Sequence, residues 1–335
     1  MAHFDTSIPV QTILAGKLRR YHHLTVLRQL LWPSLVLSNI KDSFLVVAGF
    51  FQSAVKLIIW RPDVVFTKGG YVCLPVGIAA HLLHIPIVIY DSDAFPGLTN
   101  RVLSRWATAI ATGAPLEYYN YPANKSHYVG IPISPEFHKF SDKESRLAKE
   151  KWGIDQQRPL IVVTGGGLGA SRINDSVVVA LKDLLKLGSV VLISGTNQYD
   201  DLNSITPPND DKFQLHSFIS KDMASLLGAA DVVVARAGAT TVLELASLAK
   251  PTILIPNAKL TGGHQLKNAA VYMKQKAVKI IDEDKMIDNP QILVSVIKDV
   301  LSNINITKQM ANKFESFARP NAARDLAEII INAVK

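Results

Sequence analysis

LIVVTGGGLGASRIN, Leu160 to Asn174, reads as a buried strand, a glycine turn and the opening of a helix. Leu160–Val163 is apolar without polar alternation, the pattern of a parallel strand covered on both faces. Four of the five positions from Gly165 to Gly169 are glycine, the exception being Leu168. Glycine at a strand's carboxyl end, just before a helix, lets the backbone approach a phosphate closely. The loop lacks the lysine of a P-loop and the spacing of a dinucleotide fingerprint. Tight strand–helix packing explains its glycines as well, and both readings stand at this point.

The same alternation runs outward in both directions. Val10–Leu14, Val64–Thr67, Ile87–Tyr90, Ala109–Thr112 and His127–Val129 read as strands before the opening stretch. After it come Val190–Ser194, Phe213–His216, Val232–Ala235, Thr252–Ile255 and Val278–Ile281. Runs of this kind between helical patterns predict an α/β protein with doubly wound parallel sheets. A turn-rich segment, Gly130 to Glu144, separates the two series and precedes a charged helix over Lys143–Trp152. The expected domains are 1–138, and 139–318 built around the opening stretch, with a helix from Asn321 to Val334 in the 319–335 tail packing back on the first.

With 335 residues, 48% of them apolar and 19% charged, the chain has globular composition and enough length for two cores. The single cysteine, Cys73, excludes an internal disulfide framework and a cysteine-based zinc cluster, and fits a reducing compartment. MAHFDTSIPVQ has no basic flank before an apolar core, so it does not read as a signal peptide. Ser43–Trp60 is the most lipid-like segment, interrupted by Gln52, Ser53 and Lys56. It is short for spanning a bilayer and predicts a helix that is buried or lies on a membrane surface. A net charge of +8 and the cluster GKLRRYHH, Gly16–His23, suit an anionic lipid surface or a phosphorylated substrate.

Ligands of open α/β sheets bind beyond the strands' carboxyl ends, which singles out three further loops. In ARAGATTVLELASLAKP, Ala235–Pro251, Gly238, Ala239, Thr240 and Thr241 open a helix and Glu244 follows one turn later. A carboxylate there can accept from two ribose hydroxyls, or simply favour the positive helix end. In TGGHQLKNAA, Thr261–Ala270, His264 and Gln265 precede a helix, where they suit a sugar, a diphosphate or a cap; no metal is expected. Lys68–Gly77 and Tyr90–Asn100 follow first-half strands, with Asp91 and Asp93 as candidate base or hydroxyl ligands.

In this order the loops resemble those of the MurG-type glycosyltransferases. The likeness is strongest in PDVVFTKGGYVCLPVGIAA (62–80), PGLTNRVLSR (96–105), ADVVVARAGATTVLELA (230–246) and HQLKNA (264–269). AGKLRRY, VGIPISPEF and ARPNAARDLAEII agree more weakly. The resemblance implies a GT-B architecture, two Rossmann-like domains facing a cleft, and inverting transfer of N-acetylglucosamine from UDP-N-acetylglucosamine to a polyprenyl-diphosphate-linked muramoyl-peptide in peptidoglycan synthesis. It implies the diphosphate at Gly165, Gly166, Gly167, Leu168 and Gly169, and uracil on the backbone of Ile219. Gly238, Ala239, Thr240, Thr241, Val242, Leu243 and Glu244 would take phosphates and ribose, Gln265 would bind the sugar hydroxyls, and Asp93 is counted among the donor-binding residues. Gly69, Gly70, Tyr71 and Asn100 would line the acceptor side. The family's candidate catalytic histidine, in its first loop, has no counterpart here, and Asp91 stands as the candidate base from the residues themselves. No cofactor, metal or nucleic-acid partner is expected, and the location implied is peripheral, at the cytoplasmic face of the membrane.

The departures are specific. Gly167-Leu168 replaces the family's serine-glutamine, Tyr90-Asp91-Ser92-Asp93 its histidine-glutamate-glutamine-asparagine, and Cys73-Leu74 its serine-glycine. Ile131 and Ser134 stand where asparagine and arginine are usual. The resemblance begins after the family's opening strand, GGTGGH loop, helix and second strand. A start codon placed late, a fragment, or a split enzyme with a separate amino-terminal chain would each explain that. A non-catalytic nucleotide-sugar-binding fragment, or a transferase with another lipid acceptor, is the alternative function.

Overall fold

The computed structural model describes residues 9–17, 32–167, 169–258 and 263–334. They form two compact units. The first holds the described residues of Met1–Asp91, Pro96–Tyr128 and Asp325–Lys335; the second holds Ser92–Phe95 and Val129–Arg324.

The first unit opens with helix α1, Pro33–Trp60. Then come β1 (Val65–Thr67), α2 (Cys73–Leu82), β2 (Ile87–Asp91), α3 (Leu98–Leu103), β3 (Ala109–Thr112) and β4 (Ser126–Tyr128). The strands pair in parallel in the order β1-β2-β3-β4. All five residues of β2 are buried, as a run without polar alternation demands. Ile87, Ile89, Ala79, Leu103 and Ile110 make the core between sheet and helices.

The second unit contains α4 (Asp142–Lys151), β5 (Leu160–Thr164), α5 (Ser171–Leu187), β6 (Ser189–Ile193), α6 (Tyr199–Ile205) and β7 (Phe213–His216). It continues with α7 (Met223–Ala229), β8 (Val232–Ala235), α8 (Ala239–Ser247), β9 (Thr252–Leu254), α9 (His264–Lys274) and β10 (Lys279–Ile280). Helices α10 (Glu283–Asp288), α11 (Gln291–Ser302) and α12 (Ile304–Glu315) follow, and the unit boundary falls within α13, Ala322–Asn332. Its six strands are parallel, in the order β10-β9-β8-β5-β6-β7. Ser141 and Glu144 close a capping box that starts α4. Helix α5 buries Ile173, Val177, Ala180 and Leu184 on one face against β5 and β6, which fixes where its amino end points.

Ten of the expected strands are present within a residue or two of their predicted bounds. Val10–Leu14 is the exception and forms no strand. It runs beside α1, where Leu14 N–H donates to Gln52 Oε1 (2.8 Å) and Lys56 Nζ to Gln11 Oε1 (2.7 Å). β-branched residues become a strand only with a ladder partner, and among the described residues this segment has none.

Of the two expectations for Ser43–Trp60, a buried helix or one lying on a membrane surface, burial is not met, because helix α1 is mostly exposed. Its buried positions, Leu35, Asp42, Gly49, Ser53 and Leu57, form one narrow face. Leu37, Ile40, Phe44, Val47, Phe51, Val55 and Ile58 recur every three or four residues on the exposed side, Phe44 at 72%. Only 17% of its most apolar window is buried, and it is the one described helix long and apolar enough to cross a membrane by length and composition.

Candidate functional site

In the second sheet the strand order reverses between β5 and β8, which are neighbours although their connections run to opposite sides. At such a switch point the loops diverge and leave a crevice beyond the strand ends. The loops there are Gly165–Gly169 after β5 and Arg236–Gly238 after β8, each leading into a helix.

The glycines of the first loop divide into two kinds. A Cβ on Gly165 would lie 2.4 Å from Ala170 N, and one on Gly169, at φ +73°, 2.4 Å from Ser194 O. Those two serve close packing. Gly166 and Gly167 would meet nothing within 4 Å, so their outer face is open. Gly166 N–H donates to Thr164 Oγ1 and Gly169 N–H to Gly166 O, while Gly167 N–H has no acceptor among the described residues. Leu168 lies outside the described residues. The loop thus offers a backbone donor on an uncovered surface, beside the amino end of α5.

Two cavities meet at this loop, sharing Gly166, Gly167 and Thr241. The first, about 720 Å³, is lined by Phe218, Ser220, Phe137, Ile193 and Glu244. Ile219 itself is buried, with its neighbours on the cavity wall. Glu244 is partly buried, and burial pushes its carboxyl above the usual glutamate range. Phe137, Ile193, Phe218 and Met223 give this cavity an apolar wall, Glu136, Lys221 and Asp222 are exposed around it, and Glu244 is its partly buried carboxylate. The arrangement suits a nucleoside, the ring against Phe218 and the ribose hydroxyls at Glu244. Gly238 precedes α8, whose first-turn N–H groups lie at the same crevice. Val242 and Leu243 are buried in the core, so any ligand contact at those positions is through the backbone. Thr240 is exposed.

The second cavity, about 670 Å³, is lined by Gly165–Gly167, Gly169, Arg172, Arg236, Gly238 and Gln265 among others. Each cavity is large enough for part of a nucleotide sugar. Gln265 Oε1 accepts from Asn257 N–H at 2.9 Å, which leaves its Nε2 without an acceptor among the described residues. Asp93, in the second-unit segment Ser92–Phe95, is tied to the helix that carries Gln265. Asn268 Nδ2 donates to Asp93 Oδ1 (3.1 Å) and Ala237 O (3.2 Å), and Asn268 Oδ1 accepts from Ala94 N–H (2.9 Å). His264 Nδ1 is 3.7 Å from Asp93 Oδ2. Sequence reasoning quoted Asn268 only within HQLKNA; its signal was a polar residue one helical turn beyond Gln265 on α9.

In the first unit Gly69 and Gly70 both have positive φ, and Tyr71 is exposed beside them. Asn100 is 1% exposed, donates to Tyr90 O at 3.0 Å, and would be 3.2 Å from a Cβ on Gly69. It braces the loop after β1 against the end of β2 and presents no side chain to solvent. Asp91, at the end of β2, is 7% exposed and accepts a short hydrogen bond from the Tyr121 hydroxyl. Burial and the neighbouring carboxylate push the Tyr121 phenol far up. Only Gly16 and Lys17 of the basic cluster 16–23 fall in the first described segment; the rest lies outside the described residues.

Residues 160–326 match the model of the glycosyltransferase family 28 C-terminal domain, and residues 7–112 that of the family 28 N-terminal domain. A Bacillus anthracis protein named UDP-N-acetylglucosamine–N-acetylmuramyl-(pentapeptide) pyrophosphoryl-undecaprenol N-acetylglucosamine transferase 2 is 32% identical over 308 residues, 92% of this chain and 81% of that protein. The Clostridium kluyveri transferase of the same name, without the numeral, is 30% identical over 334 residues, covering 99% and 86%. The crystal structure of Acinetobacter baumannii MurG superposes with a TM-score of 0.70 at 27% identity, covering 87% of this chain and 79% of that one.

Proposed function

The chain belongs to glycosyltransferase family 28 as a MurG-type transferase of GT-B fold, and from that premise we propose that it transfers N-acetylglucosamine from UDP-N-acetylglucosamine to a polyprenyl-diphosphate-linked muramoyl-peptide. The observation that carries this reading is the pair of cavities joined at Gly166, Gly167 and Thr241, with Glu244 in one and Gln265 in the other. A nucleoside, a diphosphate and a sugar need such adjoining spaces in that order.

In this proposal uracil meets the backbone at Ile219 and the ribose hydroxyls meet Glu244. The diphosphate is held by Gly165–Gly169 and the first turn of α8, and the sugar by Gln265 with Asp93 nearby. The acceptor docks on the first unit at Gly69, Gly70 and Tyr71. Its hydroxyl displaces UDP at the anomeric carbon with inversion, losing its proton to Asp91. Helix ends stabilise the departing UDP, so the proposed reaction needs no metal or cofactor. Transfer of radiolabelled N-acetylglucosamine to a lipid-linked acceptor, with the product's anomeric configuration read by NMR, tests it. Retention of configuration, or no binding of any uridine nucleotide, rejects it.

A second reading, nucleotide-sugar binding without transfer, draws on the engagement of buried Asp91 by Tyr121. It predicts UDP-N-acetylglucosamine binding with no turnover on any lipid acceptor.

Attachment is proposed through α1, whose exposed stripe from Leu37 to Ile58, in a chain of net charge +8, suits the anionic cytoplasmic face of a membrane. Co-sedimentation with vesicles rich in acidic phospholipid, lost in Phe44→Glu/Phe51→Glu, is the expected outcome. No sedimentation, with capture instead of a separately expressed chain carrying further strands, would assign the stripe and the edge strand β1 to that chain.

A further inference from the structure

Arg236, the residue after β8, is 8% exposed, and none of the roles above uses it. Its Nη1 donates to Ile255 O (3.0 Å) and its Nη2 to Glu283 Oε1 (2.5 Å). Glu283 opens α10 and is itself 5% exposed. The other oxygen of that carboxylate, Oε2, is 3.6 Å from Arg172 Nη1, and Arg172 also reaches Asp284 Oδ1 at 3.2 Å. One buried carboxylate is therefore shared by two guanidinium groups. Asp284 is mostly exposed and Arg172 is 36% exposed, so the enclosed part of the cluster is the Arg236–Glu283 pair, with Arg172 at its rim.

Among the described residues the carboxylates engage only Nη1 of Arg172, which leaves its other donors on the cavity wall for an arriving anion. Both arginines line the second cavity, with the open glycine loop and Gly238. A guanidinium presents a planar fork of donors, the geometry that fits phosphate oxygens. We propose that Arg172, Glu283 and Arg236 form a cationic anchor for the diphosphate of the donor. Arg172 binds it from the first turn of α5, and Arg236 is a positioning residue that fixes Glu283, the carboxylate beside Arg172. The proposal rests on the assignment of the second cavity to the donor's diphosphate end. It adds side-chain cations to a loop that otherwise offers backbone donors alone.

The test compares uridine with UDP, by calorimetric titration at two salt concentrations, on the full chain. In Arg172→Ala the Glu283–Arg236 pair stays intact, so the melting temperature is expected to hold. UDP affinity should fall by about 10-fold or more, the scale of a charge-assisted hydrogen bond, while uridine affinity stays unchanged. The salt dependence of UDP binding should shrink in the same variant. Arg236→Lys, which keeps the charge and loses the fork, should weaken UDP and spare uridine. Unchanged UDP affinity in Arg172→Ala, or equal losses for uridine and UDP, overturns the anchor. Absence of uridine binding by the unaltered chain would instead sink the donor assignment and the anchor with it.

Discussion

Asn268 and Asp93 are joined by a hydrogen bond of 3.1 Å although 175 residues separate them in the chain. The same amide accepts from Ala94 N–H and donates to Ala237 O, so one buried side chain ties the segment after β2 to the loop after β8. Asn268→Ala removes the side-chain partner of the buried Ala94 N–H and Ala237 O, and should cost about 1–3 kcal/mol of stability for each of the two left unsatisfied. Denaturant titration measures it. With Asp93 released, UDP-N-acetylglucosamine should bind more weakly while uridine binds as before. A variant of native stability would show that the bonds are replaceable by water.

The division of the glycine loop predicts opposite outcomes for two similar substitutions. Gly169→Ala places a methyl 2.4 Å from Ser194 O at φ +73°, and should destabilise the chain by roughly 1–3 kcal/mol from backbone strain, before the clash. Gly167→Ala meets no protein atom, so stability should be kept and only UDP affinity should fall. Thermal melts and titrations separate the two. Equal destabilisation by both would mean that the outer face is covered.

For Glu244→Ala, uridine and UDP affinity should fall by about 1–3 kcal/mol, with discrimination against 2′-deoxyuridine largely lost. Burial raises the carboxyl pKa in the folded chain, so it takes up a proton at a higher pH than an ordinary glutamate. The two-acceptor form is thus lost early as the solution is acidified. Uridine affinity should decline as pH falls through that raised pKa and level off below the lower pKa of the complex. In Glu244→Gln the decline should vanish. For folding the sign is opposite: the buried carboxylate costs stability above its folded pKa, and the cost is relieved as the pH drops through it toward the unfolded value.

Asp91→Asn keeps the shape of the side chain and its contact with Tyr121. If Asp91 takes the acceptor's proton, kcat should drop by about 100- to 10,000-fold with UDP affinity unchanged. Steady-state kinetics beside titration reads this directly. A kcat within a few-fold of the unaltered chain would remove Asp91 from the reaction.

Chelation with EDTA, followed by dialysis into metal-free buffer, is expected to leave the transfer rate unchanged. Loss of rate restored by Mg²⁺ or Mn²⁺ would overturn the metal-independent displacement.

The parallel strands were legible because a strand covered on both faces must be apolar at every position, as Leu160–Val163 and Val232–Ala235 are. The two glycine-led helix starts and Glu244 were legible for the same reason: turn chemistry and helix spacing are local. Val10–Leu14 shows the limit, since its residues favour a strand but its hydrogen-bond partners were never a local property.

By itself, then, the sequence determined the α/β class, nearly all the strands and the loops where ligands gather. Only the tertiary structure decided which glycines pack and which stay open, that Asn100 is a brace, that Asp93 joins Asn268, and that Arg172 and Arg236 share Glu283. Each of these depends on a contact between residues far apart in the chain. Such a contact leaves no period or spacing to read, because its geometry exists only after the sheets have formed and the helices have packed on them.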